Sequence, residues 1–181
     1  MKSLARLLGG AVFGVLLVGV PMLAQGINID YNHSVNFRQL KSYSWQKIHA
    51  TDPQVESRIS AAVNRDLANL QFNQVEKNGD FLITVVEVSK NKAEYANFYR
   101  ELSGFDWRRG WGTHGFADSI PNVRSIPLGT LIVDLYDGKT HQLLWRASVD
   151  ETIYKSEDKN DLTMDKAIDQ ILDKFPPKGE K

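Results

Sequence analysis

The chain has 181 residues, with 22 lysines and arginines balanced by 22 aspartates and glutamates, and it has no cysteine. A near-neutral chain has no broad electrostatic pull toward nucleic acid or anionic lipid, and without thiols there is no disulfide, no thiolate nucleophile and no lipidated cysteine. Apolar residues at 42% and charged residues at 24% are ordinary globular proportions, enough for one domain with a core of its own.

Lys2 and Arg6 open the chain, an apolar run from Leu7 to Ala24 follows, and Ala24-Gln25-Gly26 closes it with small residues. A short basic head, a greasy middle and a small-residue exit form a secretory signal peptide, residues 1–26, cleaved near Gly26. The expected address is the periplasm or the exterior. The alternative is an inner-membrane anchor formed by residues 7–24, since the run reaches the minimum of about 17 residues for a spanning helix. Pro21, Gly19 and the small-residue exit favour cleavage.

Ile27 to Tyr31 alternates apolar and polar residues, as a half-buried strand does. Asn32, His33 and Ser34 read as a turn. Leu40 to Trp45 reads as a second strand with Tyr43 and Trp45 toward the core. Asp52 followed by Pro53 starts a helix, because the carboxylate caps free amides and proline at the first position has no N–H to satisfy. Val55, Ile59, Ala62, Val63, Leu67 and Leu70 recur at helical spacing, with Asn64 and Arg65 on the wet side. Asn78-Gly79 breaks the chain. Phe81 to Val88 is apolar and β-branched on both faces, the pattern of a central strand.

Lys90 to Pro127 shows no sustained period and reads as irregular. Gly129–Tyr136 and Gln142–Tyr154 are the last strand regions, joined at Asp137-Gly138, a strong hairpin signal. Alternation points Trp145 inward and Arg146 outward, and places Asp134 toward solvent. Asn160 or Asp161 is the expected cap of a last helix, whose stripe is Met164, Ala167, Ile168, Ile171, Leu172 and Phe175. Pro176-Pro177 stops it, and residues 178–181 are a frayed tail. The expected fold class is therefore α+β: one domain over 27–177, with a mostly antiparallel sheet of about five strands and two helices packed on one face.

Three groups of residues carry a resemblance. They are Asp30-Tyr31 with Asn36-Phe37 and Lys41-Ser42-Tyr43-Ser44-Trp45; Gly79-Asp80-Phe81-Leu82-Ile83; and Gly129-Thr130-Leu131-Ile132-Val133-Asp134-Leu135 with Leu144-Trp145-Arg146. In this order and spacing the chain resembles the DUF4136 family of exported bacterial proteins, many of them lipoproteins. The resemblance implies an envelope address and an α+β domain of unknown function. It carries no catalytic residue over. The missing cysteine separates this chain from the lipoprotein members.

The segment from Phe98 to Phe116 concentrates aromatic residues, arginines and glycines. Tyr99, Phe105, Trp107, Arg108, Arg109 and Trp111 are the candidate binding residues, since aromatic faces beside arginine stack on sugars, peptides or protein side chains. The opposing reading is that these aromatics simply cover the sheet. No histidine pair has helical ligand spacing, and His114 with Asp118 lacks further ligands, so no metal or other cofactor is expected. Ser103, Ser119 and Ser125 lack a nucleophile elbow. Asp134, Asp137 and Asp150 cluster around the hairpin, but a turn role for Asp137 outweighs an acid–base pair.

The expectation is a non-enzymatic envelope domain that binds another envelope protein or a cell-wall or lipid component. It would not bind nucleic acid, and would touch a membrane only through an uncleaved leader. The alternatives are a carrier of a sugar, lipid fragment or peptide, and a hydrolase whose site has no recognisable motif.

Overall fold

The computed structural model describes residues 27–50, 52–88, 92–102, 104–105, 129–150 and 157–177. Strands β1 (Ile27–Tyr31), β2 (Ser42–His49), β3 (Asn73–Gln74), β4 (Phe81–Val88), β5 (Thr130–Asp137) and β6 (Leu143–Asp150) form one sheet in the order β1-β6-β5-β4-β2-β3. Among the described residues there are three α-helices: α1 (Pro53–Asn69), α2 (Lys92–Glu101) and α3 (Glu157–Leu172).

The sheet is mixed. The pairs β1/β6, β6/β5 and β5/β4 are antiparallel, while β2 runs parallel to both β4 and β3. The expected mostly antiparallel sheet of about five strands holds in outline, since three pairings are antiparallel, and differs in its sixth strand and its two parallel pairings. The reason is α1. A helix between β2 and the pair β3 and β4 returns the chain to its starting end, so β3 and β4 run in the same direction as β2. The sixth strand, β3, is only two residues long and pairs with Ser42 and Tyr43.

The helices also differ from expectation. The first begins as predicted: Asp52 Oδ1 accepts the N–H groups of Gln54 at 2.8 Å and Val55 at 3.0 Å, with Pro53 at the first turn. The last starts at Glu157, ahead of Asn160. The unpredicted helix, α2, lies inside the stretch read as irregular. Its buried residues Tyr95, Phe98 and Tyr99, with Leu102 just past its end, fall at i, i+3, i+4 and i+7, one helical face.

The two expected helices, α1 and α3, share one face of the sheet as predicted, and the unpredicted α2 takes the other. Alternate residues of β4 separate the layers. Phe81, Ile83 and Val85 pack with Ile59, Val63, Leu67, Ile168, Ile171 and Phe175 of the α1 and α3 side. Val86 and Val88 pack with Tyr95, Phe98 and Tyr99 of α2 and with Leu102 just after it. All eight residues of β4 are buried, and a strand buried on both faces needs cover on both. On the α1–α3 side Phe72, Phe81, Trp145 and Phe175 form an aromatic cluster, with centroids of 5.3–5.7 Å between touching rings. Trp145 is fully buried there, as its alternation predicted.

The turn before β4 locks β2 and the β5–β6 hairpin together. Asp80 Oδ2 accepts from the Lys41 N–H at 2.8 Å, the Ser42 N–H at 2.9 Å and the Ser42 hydroxyl at 3.0 Å. Gly138 donates its N–H to the Asp80 carbonyl at 3.0 Å. The two backbones touch so closely that a Cβ on Gly138 would lie 1.9 Å from the Gly79 carbonyl oxygen, and one on Gly79 would lie 2.5 Å from Ser44 N. Only glycine fits at either place. Gly79→Ala is therefore expected to lower stability by about 2–3 kcal/mol, read as a shifted urea midpoint with unchanged slope.

These donors, the Lys41 amide foremost, hold the Asp80 carboxyl below its ordinary pKa. A lowered folded pKa means that the stabilisation is complete above the unfolded value, about 3.9, and is lost as pH falls through the folded one. Asp80→Ala is expected to cost about 1 kcal/mol at pH 7 and to converge on wild-type stability near pH 2. Urea titrations at the two pH values read this directly.

Candidate functional site

Cross-strand register assembles a row of polar residues on the α2 face. Asp134 of β5 lies between Thr84 of β4 and Arg146 of β6, and Arg146 is flanked on its other side by Asp30 of β1. Lys47 of β2 extends the row past Thr84. Asp134 and Arg146 are 0% and 1% exposed. Both were expected to face water. Alternation placed them correctly on the face opposite Trp145, but that face is roofed by α2.

Asp134 is the hub. Arg146 Nε and Nη2 donate to its two oxygens at 2.5 Å each, a two-pronged pair. The Tyr99 hydroxyl donates to Oδ2 at 2.7 Å and the Tyr136 hydroxyl at 3.0 Å. Burial pushes both phenols well above their ordinary pKa, and Asp134 adds to the shift, so both stay protonated donors. Burial works against the Arg146 charge, yet the neighbouring groups, Asp134 first among them, together outweigh it and the pKa is raised. The guanidinium also lies 5.4 Å from the centre of the Tyr99 ring. With four donors on one carboxylate, the cluster serves to hold elements together.

Two flanking features tie α2 and its neighbour to the sheet. Lys47 Nζ sits 4.7 Å over the Phe98 ring and donates to the Phe98 carbonyl at 3.4 Å and to the Glu101 carboxylate. A cleft of about 250 Å³ opens there, lined by Lys47, His49, Asn97, Phe98 and Glu101. Beyond α2, Phe105 stacks flat on His141, with centroids 4.3 Å apart and planes at 2°, and meets Tyr136 edge-on at 5.0 Å. His141 holds a left-handed backbone (φ 56°) just after the turn. Asp137 Oδ1 fastens that turn by accepting the N–H groups of Lys139 at 2.9 Å and Thr140 at 2.6 Å.

The candidate residues from sequence thus divide. Tyr99 is 1% exposed and turned into the Asp134 cluster, so it is a core hydrogen-bond donor and not an open stacking platform. Phe105 is half-buried against Tyr136 and His141. Trp107, Arg108, Arg109 and Trp111, with His114, Asp118, Ser119 and Ser125, lie outside the described residues. The acidic trio is not brought together. Asp134 is sealed under α2, Asp137 fastens the turn, and Asp150 pairs with Thr130 at the far end of β5. Among the described residues no group of three or more His, Asp or Glu side chains is placed to hold a metal. Sequence reading missed Asp134 and Arg146 as partners. The signal was their matched alternation about the Asp137-Gly138 turn, which puts them opposite one another once the hairpin is drawn.

A mixed six-stranded sheet between one helix and two defines a three-layer α+β domain. The chain belongs to the DUF4136 family, a domain of unknown function, which it matches over residues 27–177. Its fold is similar to a crystal structure of a DUF4136 family protein from Bacteroides thetaiotaomicron. That likeness has 13% identity and a TM-score of 0.58, covering 87% of this chain and 98% of that one. It is also similar to a PDZ domain protein from Parabacteroides distasonis, at 14% identity and a TM-score of 0.55, covering 86% of this chain but only 36% of that chain. No curated protein matches in sequence.

Removing the carboxylate takes its two-pronged partner from a buried guanidinium. Asp134→Ala is expected to cost about 3–5 kcal/mol, measured by urea unfolding followed by near-ultraviolet circular dichroism.

Proposed function

We propose that this domain is an exported, non-enzymatic binding module that offers the aromatic and arginine residues of segment 106–128 to another envelope component. The leader at residues 1–26 supports the envelope address. The observation that carries the binding role is the anchoring of both ends of that segment. Phe105 is fixed at the hairpin end of β5 by Tyr136 and His141. At the opposite end of β5, Gly129 donates its N–H to the Val88 carbonyl at 2.7 Å. A tether closed at both ends on a packed sheet loses less freedom when a partner engages it. Trp107, Arg108, Arg109 and Trp111 supply the side-chain types that dominate protein interfaces. A partner protein is favoured over nucleic acid, because the chain carries no excess of positive charge.

The double variant Trp107→Ala/Trp111→Ala should keep the wild-type melting temperature while losing reproducible cross-linked partners recovered from the cell envelope. A collapse of the melting temperature instead assigns these aromatics to the core and removes the binding reading. N-terminal sequencing of the protein from the envelope fraction should begin at or near Ile27. An intact Met1 in cytosolic protein contradicts export.

A further inference from the structure

We propose that α2 undocks from the sheet as a unit while the rest of the domain stays folded, and that the charged seat beneath it keeps this opening low in free energy. The two faces of the sheet are built differently. On one, α1 and α3 share an apolar core that includes Phe72, Phe81, Trp145 and Phe175. On the other, α2 is the only helix among the described residues, and it docks through Tyr95, Phe98, Tyr99 and Leu102.

What it covers is unusual for a core. The Arg146–Asp134 pair is fully buried, and taking two such charges out of water carries a desolvation penalty that their attraction offsets only in part. Tyr99 of α2 lies against both groups, so docking α2 adds to that penalty and undocking relieves it. The seat does not fall apart when uncovered. Of the four hydrogen bonds to Asp134, two come from Arg146 on the adjacent strand and one from Tyr136 on the same strand. Only the Tyr99 bond crosses to the helix. Thr84, beside Asp134 in the row, is 1% exposed with a hydroxyl oxygen that has no hydrogen-bond partner. Water entering an opened seat would satisfy it. An apolar face exposed in the same way would gain nothing from water. The opening concerns α2 alone and stands whether or not segment 106–128 binds a partner.

Native-state amide hydrogen exchange on the intact protein, read by mass spectrometry, tests this. In the wild type, amides of Tyr95–Leu102 should exchange at least about ten-fold faster than those of β4 and β5. Tyr99→Phe deprives the docked carboxylate of one donor and should speed α2 exchange a further ten- to hundred-fold or so, leaving β4 and β5 unchanged. Replacing the whole seat, with Asp134→Leu, Arg146→Met, Tyr99→Phe and Tyr136→Phe together, should slow α2 exchange below wild type, because no charge is then buried. Equal exchange of α2 and β4 in the wild type overturns the proposal, as does a Tyr99→Phe effect spread evenly over the domain. Faster α2 exchange in a folded fourfold variant overturns the role of the charged seat. Should that variant not fold, the wild-type and Tyr99→Phe patterns decide.

Discussion

Strand β4 has no exposed residue, and neither of its faces can be left to water. That double burial organises the molecule. It places β4 inside the sheet, with β2 and β5 on either side, and it demands a layer of helix above and another below. The two layers are not equivalent. The α1–α3 layer joins large aromatic residues with a larger number of aliphatic ones, and their burial supplies hydrophobic driving force on that face. The α2 layer covers a smaller apolar patch and a row of polar residues running across the strands.

The polar row is a poor source of stability and a good source of definition. Fully desolvated ion pairs seldom outperform apolar side chains of the same size. What Asp134 provides is geometry: a two-pronged arginine from β6, a phenol from its own strand and a phenol from α2 converge on one carboxylate. A slip of β6 by one residue would carry Arg146 to the apolar face and leave Asp134 buried without it. The same carboxylate helps to orient α2, since Tyr99 brings its hydroxyl to it. Register of the hairpin and placement of the helix are thus set by one group of atoms.

Much of this was legible in the sequence where periodicity was clean. The Asp52 cap with Pro53, the stripe of α1, the double-faced run of β4, the Asp137-Gly138 hairpin and the inward Trp145 all rest on local chemistry that a chain carries with it. Three things were obscured. The parallel pairing of β2 with β4 depends on a crossover, and no local signal marks strand direction. Helix α2 is short and rich in aromatic residues of middling helix propensity, so its i, i+3, i+4, i+7 period at Tyr95, Phe98, Tyr99 and Leu102 was masked by the glycine-rich sequence that follows. The buried state of Asp134 and Arg146 followed from the same omission. Alternation tells which face a residue is on, and only the roof tells whether that face is wet.

The hidden roof also changes what the aromatic residues of this region mean. Read as a linear segment, Tyr99, Phe105, Trp107 and Trp111 look like one platform. In the fold, Tyr99 and Phe105 spend their rings and hydroxyl on the sheet itself, through Asp134, Tyr136 and His141. Aromatic side chains bury large areas, and a domain that must cover a two-faced sheet uses them first for that purpose. The other candidate binding residues, Trp107, Arg108, Arg109 and Trp111, follow Phe105 in the chain. Their point of departure is fixed by a flat His141 stack on the hairpin turn, and that turn is itself held by Asp137. One run of aromatics is therefore partitioned by a single structural requirement, the closing of the second face, which claims Tyr99 and Phe105.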